Sequence, residues 1–196
     1  MAADRRLLVG SLAAAALISV AGGWALSALG SDTSSDDGLD TMVLEKPGTS
    51  LASTIGTNAV VRGEPLPTVD LQTNDGAVVS TADLVGTPLV LNVWNSTCRP
   101  CRKELPAFAA VHAELGEQVR FIGINTLDTP EVNESFARDR GVRYELLRDV
   151  DGAFTDGLGI STQPVTLFVA ADGTIVRQSG VLDEATLRAY TEELLG

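Results

Sequence analysis

Residues 88–95, PLVLNVWN, are apolar, β-branched or aromatic almost throughout. Such a run is at ease only where both of its faces are covered, so it predicts an inner strand of a layered α/β sheet. Cys98-Arg99-Pro100-Cys101 follows directly, where the strand must end. A helix is expected from about 98 or 99 to 115, with Leu105, Phe108, Val111 or His112, and Leu115 facing the core. Two thiols, a buried strand and a helix N-terminus are thereby brought to one place.

The remaining chain extends the same pattern. Residues 66–71 read as a short strand, and Asn74-Asp75-Gly76 as a turn into a second one at 77–79. Ser80 or Thr81 caps a short helix through 85. VRFIGINT at 119–126 is another buried strand, and 130–140 is a helix opened by proline. A strand at 144–148 and a short helix at 153–158 come next. Strands at 165–170 and 174–179 are joined through Asp172-Gly173, a hairpin signal. An amphipathic helix carrying Leu187, Tyr190 and Leu194 closes the chain at 184–195. The order predicts an α/β fold, a mixed central sheet flanked by helices, with an extra N-terminal β-hairpin.

The front of the chain has a different character. Arg5 and Arg6 precede residues 7–30, which contain no charge, and Asp32, Asp36, Asp37 and Asp40 follow. As a helix this run would be about 36 Å long, against a bilayer core of about 30 Å. The flanking charges favour a cytoplasmic N-terminus with the rest of the chain outside. The expected division is a membrane anchor or signal segment over 1–30, a flexible linker over 31–60 and one folded domain over 61–196. The expected location is the cell membrane, single-pass, with the domain on the extracytoplasmic side. Small residues near Ala25, Ser27, Ala28 and Gly30 allow secretion after signal cleavage as the alternative.

Of 196 residues, 44% are apolar, enough for a core without disulfide stapling. The formal charge of -12, with no basic cluster, argues against nucleic acid as a partner. Only two cysteines occur, and a bridge closing so small a loop contributes only about 1–2 kcal/mol by chain entropy. Their place is better explained by reactivity. Unpaired amides and the dipole at a helix N-terminus lower the pKa of Cys98, and Pro100 needs no amide donor in a first turn. Arg99 adds positive charge. Cys101, one turn in, is more sheltered and suited to resolving a mixed disulfide. A zinc site would need further ligands. The one histidine, His112, lies about 16 Å along the helix from Cys101. No metal or other cofactor is expected.

With its strand, CxPC motif, Glu104 and Pro106, and a proline before Val165, the chain resembles the thioredoxin superfamily. It is most similar to the membrane-anchored TlpA/ResA/DsbE-like branch, over about residues 63–195. The resemblance implies a thioredoxin-like fold in which Cys98 attacks, Cys101 resolves and Pro164 is a cis-proline facing the dithiol. It implies that Glu104 tunes the cysteines or relays protons; spacing alone leaves open a plain surface glutamate. Asn92 stands where thioredoxin has a buried aspartate. Trp94, Thr97, Arg99 and Pro100, with Gln163 and Val165 beside Pro164, are the expected substrate-facing residues. One departure is Thr97, where the family usually has tryptophan.

The expected activity is protein thiol-disulfide exchange outside the cytoplasm, with cysteine- or disulfide-containing protein substrates. The branch includes reductants of apocytochrome c, regenerated by a membrane redox partner, and also DsbE-like oxidants of secreted proteins. A thiol peroxidase is a rival, but Asn95 and Leu91 stand where a PxxxTxxC motif needs threonine and proline. A non-enzymatic copper-binding or delivery module is the rival from another class, but the chain lacks the distant histidine expected of copper-handling relatives in this fold.

Overall fold

The computed structural model describes residues 57–196. The segment expected to be an anchor over 1–30, and the expected linker up to residue 56, lie outside them. Among the described residues, no helix is long and apolar enough to cross a membrane.

Seven strands form one mixed sheet: β1 (Asp70–Gln72), β2 (Val78–Ser80), β3 (Leu89–Trp94), β4 (Arg120–Asn125), β5 (Glu145–Arg148), β6 (Val165–Val169) and β7 (Ile175–Ser179). Among the described residues, four helices accompany them: α1 (Arg99–Leu115), α2 (Pro130–Arg138), α3 (Ala153–Gly157) and α4 (Glu184–Leu195). A 3₁₀ turn, Thr81–Leu84, follows β2 and is capped by Ser80. The spatial order is β2-β1-β5-β4-β3-β6-β7. Strands β3, β4 and β5 run parallel; β6 is antiparallel to β3, and β7 to β6. At the far edge β1 pairs antiparallel with both β2 and β5.

Strand β3 is buried at every position, as an inner strand must be. Its side chains alternate between two cores. Leu89, Leu91 and Val93 join Phe154 and Leu158 from α3 and its end on one face. Val90 and Trp94 join Leu105, Phe108 and Val111 of α1 and Leu187 of α4 on the other. Asn92 falls on the α1 face by the same alternation, so an amide is inserted between two apolar residues opposite that helix. Room for the Trp94 ring comes from Gly123 on β4: a Cβ there would lie 2.9 Å from Trp94 Nε1.

Three of the four described helices open on a residue whose side chain caps them. Thr129 caps α2 just before Pro130, and Asp183 caps α4 by accepting from the Thr186 N–H at 2.8 Å. Helix α1 has Cys98 as its cap. Predicted and observed elements correspond, with ends moved by a few residues. The early strand is the most shifted: backbone bonds from Leu66 go to Gly173, and pairing with β2 begins only at Asp70.

Candidate active site

Strand β3 delivers the two cysteines to the edge of the sheet, and antiparallel β6 begins at the same edge. Val93 pairs with Val165, so the segment after Trp94 and the segment before Val165 are neighbours by register. Cys98 and Cys101 are disulfide-bonded, with Cα atoms 5.3 Å apart. Cys98 is half-buried, whereas Cys101 is fully buried. The Cys101 N–H donates to Cys98 Sγ at 3.2 Å. An N–H aimed at sulfur from a helix N-terminus stabilises negative charge on that sulfur, so in the reduced pair Cys98 has both the exposure and the electrostatics of an attacking thiolate.

Pro164 is buried, and the Gln163–Pro164 peptide bond is cis, as the resemblance implies. Gln163 touches the dithiol loop directly, because its Oε1 accepts from Asn95 Nδ2. Thr97 and Arg99 are exposed and Pro100 is half-buried, so all three are accessible at the surface.

Two expected substrate-facing residues are not. Trp94 is 0% exposed and its ring stacks on Phe136 with centroids 5.5 Å apart. The last residue of β3 turns into the α1-side core rather than toward the dithiol surface. Val165 is also buried, its side chain belonging to the opposite core. Both are structural supports of the edge, and neither side chain can reach a partner.

Glu104 is no surface residue. It is 2% exposed and lies under the helix, where Oε1 accepts from Asn92 Nδ2 at 2.9 Å and Oε2 accepts from the Leu182 N–H at 3.2 Å. Asn92 Nδ2 also reaches Thr166 Oγ1 at 3.4 Å. Burial pushes the Glu104 carboxyl up to about 7, against the two hydrogen bonds that favour its charged form. A carboxyl of that kind, three residues after Cys101, exchanges a proton readily near neutral pH.

Sequence reasoning missed the polar scaffold of the dithiol loop. Asp128 accepts from the Ser96 N–H at 2.7 Å and from Ser96 Oγ at 2.6 Å. Asn125, at the end of β4, donates to Asp128 Oδ2 at 2.7 Å and accepts from the Leu127 and Asp128 amides. Asparagine at a strand end followed by a serine, threonine or aspartate is a turn signal, but it does not say which loop it will support. His112 sits elsewhere on α1, edge-on to the Phe121 and Tyr144 rings.

A disulfide-forming CxxC pair at the N-terminus of a helix, beside a cis-proline and on a mixed sheet of this order, defines a thioredoxin-like thiol-disulfide oxidoreductase. The chain belongs to the AhpC/TSA family, whose model matches residues 62–178. It is 36% identical over 129 residues to the thiol:disulfide interchange protein DsbE of Pseudomonas fluorescens biotype C, covering 64% of this chain and 71% of that one. It is 26% identical over 137 residues to the thiol-disulfide oxidoreductase ResA of Bacillus subtilis (strain 168), covering 69% and 76%. Among solved structures, it resembles a secreted Mycobacterium tuberculosis disulfide oxidoreductase homologous to E. coli DsbE. That match has a TM-score of 0.57 at 27% identity, over 64% of this chain and 96% of the other.

Proposed function

We propose that the protein is an extracytoplasmic, membrane-tethered reductant of protein disulfides, in which Cys98 is the nucleophile. The reading rests chiefly on one observation: Cys98 Sγ is both the half-buried sulfur and the atom to which the α1 N-terminus offers an N–H. Reduced Cys98 attacks one sulfur of a partner disulfide, forming a mixed disulfide and releasing the partner's other thiolate. Cys101 then attacks Cys98 Sγ, closing the internal disulfide and expelling the second partner thiolate. Two electrons pass to the partner. Glu104 takes the proton that Cys101 must lose, a role supported by its buried site and its carboxyl near neutrality. The Pro164 loop holds the partner's backbone beside Cys98.

The partners in this reading are cysteine-containing proteins, with apocytochrome c the leading candidate. A membrane redox partner restores the dithiol. The charge-free run at 7–30 serves as the anchor, with 61–196 as the catalytic domain. Secretion after cleavage is the other arrangement consistent with that run.

A second reading, consistent with the likeness to DsbE-named proteins, is that the pair runs as a DsbE-like oxidant of secreted proteins. A redox titration separates the two. A potential of about -250 mV or lower supports the reductant, and one near about -120 mV the oxidant. Cys101→Ser is expected to accumulate mixed disulfides through Cys98. Apocytochromes among the trapped proteins support the maturation role, whereas a broad set of secreted proteins refutes it. Retention of exchange activity in Cys98→Ser would overturn the mechanism itself.

A further inference from the structure

Asn95 lies between the end of β3 and the first cysteine, and is 8% exposed. Its Oδ1 gathers three donors: the Thr97 N–H at 3.0 Å, the Thr97 hydroxyl at 2.7 Å and the Cys98 N–H at 3.0 Å. Two of these are backbone amides that can only donate, so they fix which end of the Asn95 amide is oxygen. The Nδ2 end must then face Gln163, which meets it with Oε1. That in turn leaves Gln163 Nε2 free to donate to Thr126 Oγ1, at 3.0 Å. Each amide orientation follows from the one before it. The chain of bonds runs from the Cys98 backbone, through the residue preceding Pro164, to the end of β4.

We propose that Asn95 is a positioning residue that locks the dithiol loop to the Pro164 loop, fixing the gap into which a partner's disulfide must fit. The proposal rests on Cys98 being the attacking cysteine and on the Pro164 loop holding the partner. Three features follow from the geometry. The Cys98 N–H is committed to Asn95, and the Cys101 N–H donates to the Cys98 sulfur. The Thr97 hydroxyl is turned inward onto Asn95, so Thr97 offers a partner little more than its methyl group. The Pro164 loop, 68 residues further along the chain, is tied to the nucleophile by one side-chain pair. Loss of either member should therefore loosen the same gap.

The test is a double-mutant cycle in the full chain with Asn95→Ala, Gln163→Ala and both together, measuring turnover and KM on a peptide disulfide. Each single variant should lose about tenfold in kcat/KM, mainly through KM, and the double variant should lose no more than the worse single one. Losses that multiply to about a hundredfold would overturn the coupling. Asn95→Asp, which keeps the acceptor beside the Cys98 amide and adds a negative charge, supplies a second measurement. The pH profile of Cys98 alkylation should move to higher pH, because a like charge opposes the thiolate. An unmoved profile would show that the Asn95 side chain is not at Cys98. Cys98→Ser separates the levels: if it abolishes exchange while the cycle is multiplicative, the lock fails and the nucleophile assignment stands.

Discussion

Glu104→Gln should change how the stability of the oxidised protein depends on pH. A carboxyl whose ordinary value is 4.5 is pushed up to about 7 by burial between α1 and the sheet. In the folded state it holds its proton in a range where the unfolded chain has already lost it. The folded form therefore binds more protons between about pH 4.5 and 7, and stability falls as pH rises through that window. The advantage of the protonated group is fully present below about 4.5 and gone above about 7.5. A shift of about 2.5 units corresponds to about 3 kcal/mol, and burial at 2% exposure leaves little solvent screening to reduce it. Glutamine retains an acceptor for the Leu182 N–H. Its NH₂ can serve Asn92, whose Oδ1 is buried without a partner among the described residues. The shape is kept and the titration removed. Urea unfolding of both proteins at intervals from pH 4 to 8 should give a stability difference, wild type minus variant, that declines by about 3 kcal/mol across the window. Using the oxidised form silences both thiols. Burial also lowers the pKa of His112, with the opposite slope, but that contribution cancels in the difference. A difference that stays flat with pH would refute the reasoning.

Two further outcomes concern the frame around the site. Gly123→Ala sets a Cβ 2.9 Å from both Trp94 Nε1 and Leu146 Cδ2, and should cost about 1–3 kcal/mol by urea denaturation with the strand order intact. Asp183→Ala removes the acceptor for the Thr186 N–H at the start of α4 and should cost about 1 kcal/mol, read as a lower thermal midpoint.

Much of this architecture was legible in the sequence because the periodicities are local. A run apolar but for Asn92 marks β3, a proline after threonine marks the start of α2, and Asp172-Gly173 marks the β6–β7 hairpin. The cysteines were legible for the same reason, since strand, pair and helix adjoin. Burial at a strand end was not. Trp94 is one residue from leaving the sheet, and only the glycine on the neighbouring strand shows that its ring goes inward. Glu104 was ambiguous because helical spacing places it beside Cys101 without revealing that Asn92 and Leu182 close over it. The residues holding the dithiol loop were invisible because their partners are distant: Ser96 meets Asp128, and Asn95 meets Gln163. Such pairings are decided by sheet order, which no local pattern contains.

The antiparallel pairing of β3 with β6 has a consequence for how this site can diversify. Val93 and Val165 are joined through backbone, so the Cys98–Cys101 loop and the Pro164 loop leave the sheet from adjacent strands, separated by the ordinary interstrand spacing of about 4.8 Å. That spacing owes nothing to the side chains that decorate either loop. Thr97, before Cys98, takes no part in the pairing that sets it. The sheet works as a fixed gauge, and the loops are free to vary which partners pass through it.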